Sequence, residues 1–480
     1  MATPLDTECL LLLGGSREKG AANPITVYDK YSGAPIALAH VPDAKQVHVA
    51  VERAHSAWRR GVPSQSERAQ ILDHAAVGVE RASGELVRLM QLEAGFPSAD
   101  GENEVRRCAQ TLRLSAAAAR EFGGDIVPLA GSPGQAGKFG FTLRVPLGVV
   151  LAVTPFNSPL NTVTHKIAPA FAAGNAVVLK PSSETPLTAS RFAQVLLEAG
   201  VPAGFLSIVH GGAEVVGELL EQPPIRYVAF TGSTATGRAI ARASGLRRTQ
   251  MELGSIAFTI LCADADLEVA LPKIVTAAYR KAGQVCTSVQ ILLVHRTLRP
   301  VVEERLAAMT AAVPYGDPAD PRTVTGPVIN ATAAARIESW INAAVASGAR
   351  RLAGGLRQGN VIPPTLLTDV DDAMDVVRCE VFGPVLCIRG FDELSEAIGQ
   401  VNRTPYGLAT GIFTSQINHA FAAIRDLEVG SVYVNDTSSS RVDAMPYGGS
   451  KDSGFGREGP GYVIRDMSEE RMITFSNVGL

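Results

Sequence analysis

Residues 148–180 read GVVLAVTPFNSPLNTVTHKIAPAFAAGNAVVLK, and this stretch carries the pattern that predicts the fold. Residues 148–154 form an apolar run typical of a buried strand, residues 160–173 have helical spacing, and residues 176–180 form a second apolar run. Two strands that are apolar throughout and joined by a helix are typical of a parallel sheet covered by helices on both faces. We therefore expect an α/β fold.

The same alternation continues after this stretch. Further strands are predicted at residues 205–210, 225–231 and 248–253, with helices at 188–199, 214–220 and 236–244. A second alternation runs through a strand at 258–262, a helix at 267–281, a strand at 290–295 and a helix at 300–313. The pattern predicts two α/β units, and such sheets bind ligands at the carboxyl ends of their strands.

The segments that flank these units have other patterns. Residues 44–60, 66–94 and 102–122 have apolar positions at three- and four-residue steps and are predicted to be amphipathic helices. Residues 123–140 are rich in glycine and are expected to form a connection or an extended arm. The segment 448–480 is glycine-rich and then mixed, and we expect it to return to another subunit.

Composition narrows the class of protein. The 480 residues allow for about three domains. Forty-four Lys and Arg against 47 Asp and Glu give a net charge of -3, which excludes a broad electrostatic preference for nucleic acid or an anionic membrane. No uncharged stretch approaches the ~18 apolar residues of a membrane span. We therefore expect an enzyme or a binding protein without a nucleic-acid or membrane partner.

The six cysteines contain no CxxC pair, so the sequence predicts neither a zinc motif nor any other metal site. Free cysteines are typical of a reducing compartment. The first apolar run, residues 10–13, lacks the preceding Lys or Arg of a secretion signal. A cytoplasmic protein is the expectation.

Four features lie where the predicted sheets would bind a ligand. Lys180 ends a strand, Glu252 ends another in MELGS, Cys286 lies in a loop, and FTGSTATG (230–237) connects a strand to a helix. Each has a simpler interpretation: a solvated lysine, a strand-end glutamate in water, an inert buried cysteine and an ordinary turn. For a lone cysteine the inert interpretation is favoured by roughly ten to one.

Taken together, the motifs identify a family. In order they are LAVTPFNSPL (151–160), VVLKPSSETPLTA (177–189), FTGSTATGR (230–238), MELGS (251–255), GQVCTS (283–288), EVFGPV (380–385) and MPYGGSKDSGFGREG (445–459). This set resembles the aldehyde dehydrogenase superfamily from the first helices to the C-terminus. The resemblance implies a Rossmann-like cofactor domain (1–122 and 145–253), an α/β catalytic domain (254–445) and an oligomerisation arm with a C-terminal segment (123–144 and 446–480).

The same resemblance implies the catalytic roles. Cys286 matches the nucleophile that forms a thiohemiacetal and then a thioester. Asn157 matches the residue that stabilises the oxyanion, and Glu252 matches the base that activates water. The implied activity is the oxidation of an aldehyde to its acid with NAD or NADP, by a homodimer or homotetramer.

Cofactor residues are carried over in the same way. Lys180 matches the residue that binds the adenosine ribose. The remaining matches are Gly232, Ser233 and Gly237 at the pyrophosphate, and Glu380, Phe382, Phe156 and Thr154 around the nicotinamide and its ribose. Many NAD-preferring relatives have Glu where this chain has Ser183, and a carboxylate there repels a 2′-phosphate. We therefore expect NADP to be accepted, alongside NAD. A second departure, Ser255-Ile256 after the Glu252 motif, has no consequence that the sequence predicts.

Four polar residues near the catalytic ones are candidates for the substrate site: Arg107, Ser158, Arg280 and Arg441. They favour a small polar or anionic aldehyde of the phosphonoacetaldehyde, lactaldehyde or semialdehyde type, although each arginine could equally form a salt bridge. An aromatic aldehyde stays open, because PFNSPL also occurs in benzaldehyde-type relatives. A CoA-acylating enzyme is disfavoured by Glu252, and a non-catalytic relative by the presence of both Cys286 and Glu252.

Overall fold

An eight-stranded sheet carries residues 148–180 at its centre in the computed structural model, which describes residues 7–477. In spatial order its strands are Gly454–Phe455, Arg248–Glu252, Ile225–Thr231, Val149–Val153, Ala176–Lys180, Leu206–Ile208, Leu11–Leu13 and Ser16–Glu18. The five from Arg248–Glu252 to Leu206–Ile208 are parallel. The predicted α/β fold with a parallel sheet is confirmed. Residues 1–6 and 478–480 of the predicted terminal segments lie outside the described residues.

The order of the strands creates a crevice at the middle of this sheet. Val149–Val153 pairs with Ala176–Lys180 on one side and with Ile225–Thr231 on the other. After Val149–Val153 the chain adds strands on the side of Ala176–Lys180, and it then crosses over and adds strands on the side of Ile225–Thr231. The connections therefore diverge at the carboxyl end of Val149–Val153. All five residues of this strand are buried, as its apolar sequence requires.

Helices cover both faces of this sheet. They are Ala44–Arg60, Gln65–Arg81, Ser83–Ala94, Ser98–Arg120, Asn161–Ala172, Pro186–Glu198, Ala213–Leu220, Thr234–Ala243 and Pro460–Asp466. The single helix predicted at 66–94 is wrong, because the chain turns at Ala82 and starts a new helix at Ser83. Among the helices within residues 7–477, none is both long enough and apolar enough to cross a membrane.

A second sheet of seven strands forms the other α/β unit. In spatial order its strands are Arg350–Ala353, Thr365–Thr368, Val385–Phe391, Val289–His295, Ala257–Leu261, Ala409–Phe413 and Ser431–Val434. Its helices are Leu267–Tyr279, Arg299–Ala311, Ala331–Ala346, Asp375–Arg378, Leu394–Asn402 and Ile417–Asp426. The helix predicted at 267–281 ends at Tyr279, and a 3₁₀ turn, Arg280–Gly283, follows it.

Three smaller sheets complete the fold. Two of them consist of the strands Glu8–Cys9, Pro35–Val41 and Ala22–Tyr28, and of Tyr406–Gly407 with Ser450–Lys451. In the third, Ser468–Phe475 pairs along its whole length with Phe139–Pro146, which also pairs with Ile126–Val127. This antiparallel sheet leaves the apolar side chains of Leu143, Met472 and Phe475 exposed.

Candidate active site

A cavity of about 340 Å³ is lined by all seven of the predicted catalytic and substrate residues. Its lining includes Cys286, Glu252, Asn157, Arg107, Ser158, Arg280 and Arg441. Several residues that the sequence did not single out also line it: Glu104, Lys281, Tyr447 and Glu458. Residues from both α/β units and from the C-terminal segment therefore meet at one place.

The backbone before Cys286 is held in an unusual conformation. Lys281 and Ala282 have φ values of 51° and 52°, and Gly283 has a φ of 67°. A Cβ atom at Gly283 would lie 2.1 Å from the carbonyl oxygen of Gly383, so only glycine fits there. This tight turn stops the helix early and directs the Cys286 thiol into the cavity.

A buried ion pair between Lys281 and Glu104 stabilises the turn before Cys286. The Lys281 ammonium donates to Glu104 Oε1 at 2.7 Å and to the carbonyl oxygen of Asn157 at 3.1 Å. Glu104 also accepts hydrogen bonds from the Ser158 hydroxyl and from the Asn161 backbone N–H. Glu104 therefore connects the helix Ser98–Arg120 to the backbone on both sides of the cavity.

Asn157 and the loop that carries Cys286 are held by hydrogen bonds next to this ion pair. The Asn157 Nδ2 donates to the carbonyl oxygen of Gln284 at 2.8 Å, which fixes the amide beside the cysteine loop. Cys286 is partly buried, and its Sγ lies 2.9 Å from the Tyr447 hydroxyl. Burial raises the pKa of the Cys286 thiol to about 11, although Tyr447 and Arg441 act in the opposite direction.

Glu252 ends the strand Arg248–Glu252 and is 3% exposed. Neither of its carboxylate oxygens has a hydrogen-bond partner among the described residues. Burial, and then the nearby charge of Glu458, raise the pKa of Glu252 well above its ordinary value. A carboxyl group with a raised pKa, open to a cavity that also holds a thiol, has the properties of a general base.

The backbone approaches Glu252 closely on the side of the C-terminal segment. A Cβ atom at Gly448 would lie 2.8 Å from Glu252 Oε1 and 2.4 Å from the carbonyl oxygen of Gly456. Gly448 therefore leaves the space that the carboxylate needs.

Glu458, which lines the cavity, forms two buried ion pairs. Arg441 and Lys166 lie 2.6 and 2.7 Å from the oxygens of Glu458. Although burial opposes ionisation, these two cations hold the pKa of Glu458 below its usual range. Lys166 was not among the predicted site residues, although it is the one Lys, Arg, Asp or Glu residue in the helix Asn161–Ala172.

Arg107 has a similar partner. It donates to both oxygens of Asp443, at 2.7 and 3.1 Å, and the His165 ring lies 2.9 Å from the same carboxylate. Despite burial, the hydrogen bonds from His165 and Arg107 keep the pKa of Asp443 below its ordinary range. Asp443 lies 336 residues from Arg107 along the chain, and no local pattern predicts such a contact.

Arg280 differs from the other arginines of the cavity. Its Nη2 donates to the Ser439 hydroxyl at 2.7 Å. Within residues 7–477 no carboxylate lies at ion-pair distance from it, and Asp100 is the first carboxylate that acts on its charge from further away. Arg280 therefore offers the cavity a guanidinium group that has no direct ion-pair partner among the described residues.

Lys180 and Thr154 lie at the carboxyl ends of the central strands, where the crevice opens. Lys180 is 8% exposed and has no hydrogen-bond or ion-pair partner within residues 7–477, and burial lowers its pKa to about 8. The Thr154 hydroxyl is buried without a described partner. Polar groups left unsatisfied at a sheet's ligand edge fit the hydroxyls and phosphates of a dinucleotide.

In the described part of the chain, the residues after Lys180 place no carboxylate at ion-pair distance from its ammonium group. The Ser183 hydroxyl donates to the carbonyl oxygen of Gly211 at 2.8 Å. Glu184 accepts from Lys30 at 2.6 Å and from the Asn330 amide at 2.8 Å. These bonds hold Glu184 on the side of Lys30 and leave Lys180 free.

The FTGSTATG segment forms a helix N-terminus beside the crevice. Ser233 caps the helix Thr234–Ala243 by accepting from the Thr236 N–H. Cβ atoms at Gly232 and Gly237 would lie 2.5 Å from the Phe230 ring and 2.2 Å from Leu253. The backbone therefore comes close to its neighbours, and a helix N-terminus is suited to a phosphate.

Phe156 and Phe382 meet edge to face, with ring centroids 5.7 Å apart. Glu380 accepts from the Ser255 N–H at 2.9 Å, and burial raises its pKa to about 7. The Ile256 side chain is buried in the core of the second α/β unit. Ser255-Ile256, whose role the sequence left open, thus joins the Glu252 strand to the Glu380 loop.

Outside the cavity, one group of three side chains among residues 7–477 has the donor atoms that a metal ion could bind. Cys262, Asp264 and His419 have ligand atoms within 4.8 Å of one another, and none of the three lines the cavity. Asp264 already accepts hydrogen bonds from Thr414 and Ser415, so its oxygens cap the loop before the helix Ile417–Asp426.

Comparison with known proteins agrees with the chemistry that the cavity residues indicate. A model of the aldehyde dehydrogenase family matches residues 17–473. The chain is 42% identical over 456 residues to a 3-sulfolactaldehyde dehydrogenase of Priestia megaterium, and the match covers 95% of each protein. It is similar to the crystal structure of aldehyde dehydrogenase 21 from Physcomitrella patens in complex with the reaction product succinate, with a TM-score of 0.95, 33% identity and 100% of each chain covered. It is also similar to the NADP-dependent glyceraldehyde-3-phosphate dehydrogenase of Bacillus halodurans complexed with NADP, with a TM-score of 0.95, 31% identity, and 98% of this chain and 99% of that chain covered.

Proposed function

Since the chain belongs to the aldehyde dehydrogenase family and is an aldehyde dehydrogenase that uses NAD or NADP, we propose that it oxidises a small anionic aldehyde to the carboxylic acid. The observation that carries this proposal is Arg280, whose guanidinium lines the same cavity as Cys286 without a carboxylate at ion-pair distance among the described residues.

The charges around Arg280 support an anionic substrate. Lys281, Arg107 and Arg441 each have a carboxylate partner within 2.7 Å. The remaining positive charge at Arg280 is suited to a carboxylate, sulfonate or phosphonate, whose oxygens match the donors of a guanidinium group. The similarity to a 3-sulfolactaldehyde dehydrogenase supports the same class of substrate.

The proposed reaction uses three residues of the cavity. The Cys286 thiolate attacks the aldehyde carbon, and the oxygen that gains charge is stabilised by the free N–H of the Asn157 amide and the Cys286 backbone N–H. NAD or NADP, when bound, accepts the hydride that this carbon loses. Glu252 then takes a proton from water, which attacks the thioester and releases the acid and the thiol.

Lys180 and the Ser233 helix N-terminus are the groups that we propose to hold the dinucleotide. Glu380, Phe382, Phe156 and Thr154 are proposed to surround its nicotinamide end. Their support is the unpartnered Lys180 ammonium and Thr154 hydroxyl at the strand ends, where phosphate and ribose oxygens would supply the missing partners.

The substrate proposal is tested by pairing charged and neutral aldehydes. Arg280→Gln is expected to lower kcat/KM for succinate semialdehyde and phosphonoacetaldehyde by about 10- to 100-fold, since a hydrogen bond between two charged groups is lost. The values for lactaldehyde and benzaldehyde should change by less than about threefold. The surface change Arg425→Gln serves as the matched control. An equal loss on charged and neutral aldehydes would contradict the role of Arg280.

Ser183→Glu tests the proposed acceptance of NADP. A carboxylate at this position repels a 2′-phosphate, so kcat/KM for NADP is expected to fall by about 10- to 100-fold while that for NAD changes little. Steady-state rates with each cofactor measure the change. Ser183→Ala, which removes only the hydroxyl, is the control, and an unchanged preference in Ser183→Glu would count against this assignment.

We also propose that the chain works as a homodimer or homotetramer in the cytoplasm. The exposed apolar side chains on the sheet of Phe139–Pro146 and Ser468–Phe475 support assembly through the arm. The division into a cofactor domain, a catalytic domain and an arm, with the boundaries given above, is part of the same proposal.

A further inference from the structure

The cysteine of the cavity has one hydrogen-bond partner, Tyr447, to which the sequence motifs assigned no role. Cys286 Sγ lies 2.9 Å from Tyr447 Oη, and the two residues are 161 positions apart in the chain. Among residues 7–477, the Tyr447 hydroxyl is the one group hydrogen-bonded to this sulfur. The contact joins the loop after the 3₁₀ turn to the C-terminal segment.

Tyr447 is held firmly by its surroundings. Its backbone N–H donates to the carbonyl oxygen of Glu458, and the Glu458 N–H donates back to Tyr447. Glu458 is itself fixed by Lys166 and Arg441. The Arg441 guanidinium carbon lies 3.8 Å from the centre of the Tyr447 ring. Since ring and backbone are both fixed, the hydroxyl stays at the sulfur without a large loss of side-chain entropy on binding.

The other charged and titratable groups near Cys286 act on its thiol in opposite directions. Arg441 favours the thiolate, whereas Glu380 and Glu252 disfavour it when ionised. Arg280 lines the same cavity. Tyr433 packs against the same buried cluster as Cys286, and no hydrogen bond joins it to the Cys286 sulfur. Burial disfavours the thiolate most strongly, so a direct hydrogen-bond donor has a large influence on how much thiolate forms.

We propose that Tyr447 is a catalytic residue whose hydroxyl donates a hydrogen bond to the Cys286 thiolate and so increases the fraction of reactive nucleophile near neutral pH. The proposal rests on the proposed role of Cys286 as nucleophile. Tyr447 keeps its proton throughout, because burial raises its pKa well above the ordinary value. When water cleaves the thioester, the electron pair of the carbon–sulfur bond returns to sulfur, and the same hydrogen bond stabilises the departing thiolate.

Alkylation of Cys286 by iodoacetamide tests this without any aldehyde or cofactor, because the thiolate displaces iodide directly. The rate is followed between pH 6 and 10 by mass spectrometry of the Cys286 peptide, which separates it from the other cysteines. In this range the rate is proportional to the thiolate fraction, so the displacement of a variant's profile along the pH axis gives the change in its midpoint relative to the parent. Tyr447→Phe is expected to raise the midpoint of the alkylation rate against pH, which is the apparent pKa of the thiol, by about one to two pH units. This is the effect of losing one hydrogen bond to a charged group. At pH 8 alkylation should be at least about tenfold slower.

Tyr433→Phe is the matched control, since it removes a hydroxyl from the same cluster that is not bonded to the sulfur. Its midpoint should stay within about 0.3 pH units of the parent. Replacing Tyr447 with 3-fluorotyrosine keeps the ring and makes its hydroxyl a stronger hydrogen-bond donor, so the midpoint should move down. This replacement tests the same contact if the Phe variant does not fold. An unchanged midpoint in Tyr447→Phe or in the fluorotyrosine protein would overturn the proposal.

Failure of this proposal and failure of the proposed function give different results. If Tyr447 does not bond to the thiolate, the alkylation midpoints coincide while the enzyme still depends on Cys286. If Cys286 is not the nucleophile, aldehyde oxidation survives its removal whatever the alkylation midpoints are.

Discussion

Cys286→Ala is expected to abolish the production of NADH and NADPH at every aldehyde concentration. Without the thiol no covalent bond to the aldehyde carbon forms, and the remaining groups only bind and polarise the substrate. Loss of a covalent nucleophile typically lowers turnover by at least about 10⁴-fold. Absorbance at 340 nm, followed with both cofactors and saturating aldehyde, measures the result.

The control for this change is Cys379→Ala, because Cys379 is the other partly buried cysteine and does not line the cavity. We expect it to retain activity within about threefold of the parent. Normal turnover in Cys286→Ala would overturn the assignment of the nucleophile. The thermal unfolding of both variants should match that of the parent, since each change removes only one sulfur atom.

Glu252→Gln is expected to separate the two halves of the reaction. The thiolate still attacks and hydride transfer still occurs, so one equivalent of reduced cofactor per active site should form in a burst. The steady rate that follows should be about 10²- to 10⁴-fold below the parent rate, because the amide cannot take a proton from water. Rapid mixing with absorbance detection at 340 nm resolves both phases.

The pH dependence gives a second measurement of the same role. Only the ionised form of Glu252 acts as a base, and its pKa is raised by burial and by Glu458. The rate of deacylation in the parent should therefore rise with pH through this raised pKa and then level off. In Glu252→Gln this rise should disappear, whereas the exposed control Glu214→Gln should keep it. An unchanged steady rate without a burst would contradict the role.

The fold was predictable where local sequence decides it. The strands Ala176–Lys180 and Ile225–Thr231 have the predicted bounds, because short and mostly apolar runs of this kind are stable in the buried interior of a parallel sheet. The break at Ala82 was missed, because the helical spacing continues across it. The early stop at Tyr279 was missed as well, because it depends on the contact between Gly283 and the distant Gly383.

The residues of the candidate site also separate into those predictable from local sequence and those that depend on contacts between distant segments. Cys286, Glu252 and Lys180 were found from their positions at loops and strand ends and from the motifs around them. Tyr447, Asp443 and Glu458 were not found, since their importance comes from contacts between segments that are far apart in the chain. A charge such as Arg107 is interpretable only with its partner, and the sequence contains no signal for that pairing.

The contact between Tyr447 and Cys286 also imposes an order of events on the newly made protein. The ribosome adds about 5 to 20 residues per second, and 161 residues separate the two side chains. The thiol is therefore synthesised roughly 10 to 30 s before the hydroxyl that is bonded to it. Both large sheets can begin to pair during that interval, but the cavity cannot close. The nascent chain thus carries its reactive sulfur in an unfinished site, and chemistry has to wait for the segment that comes late in translation.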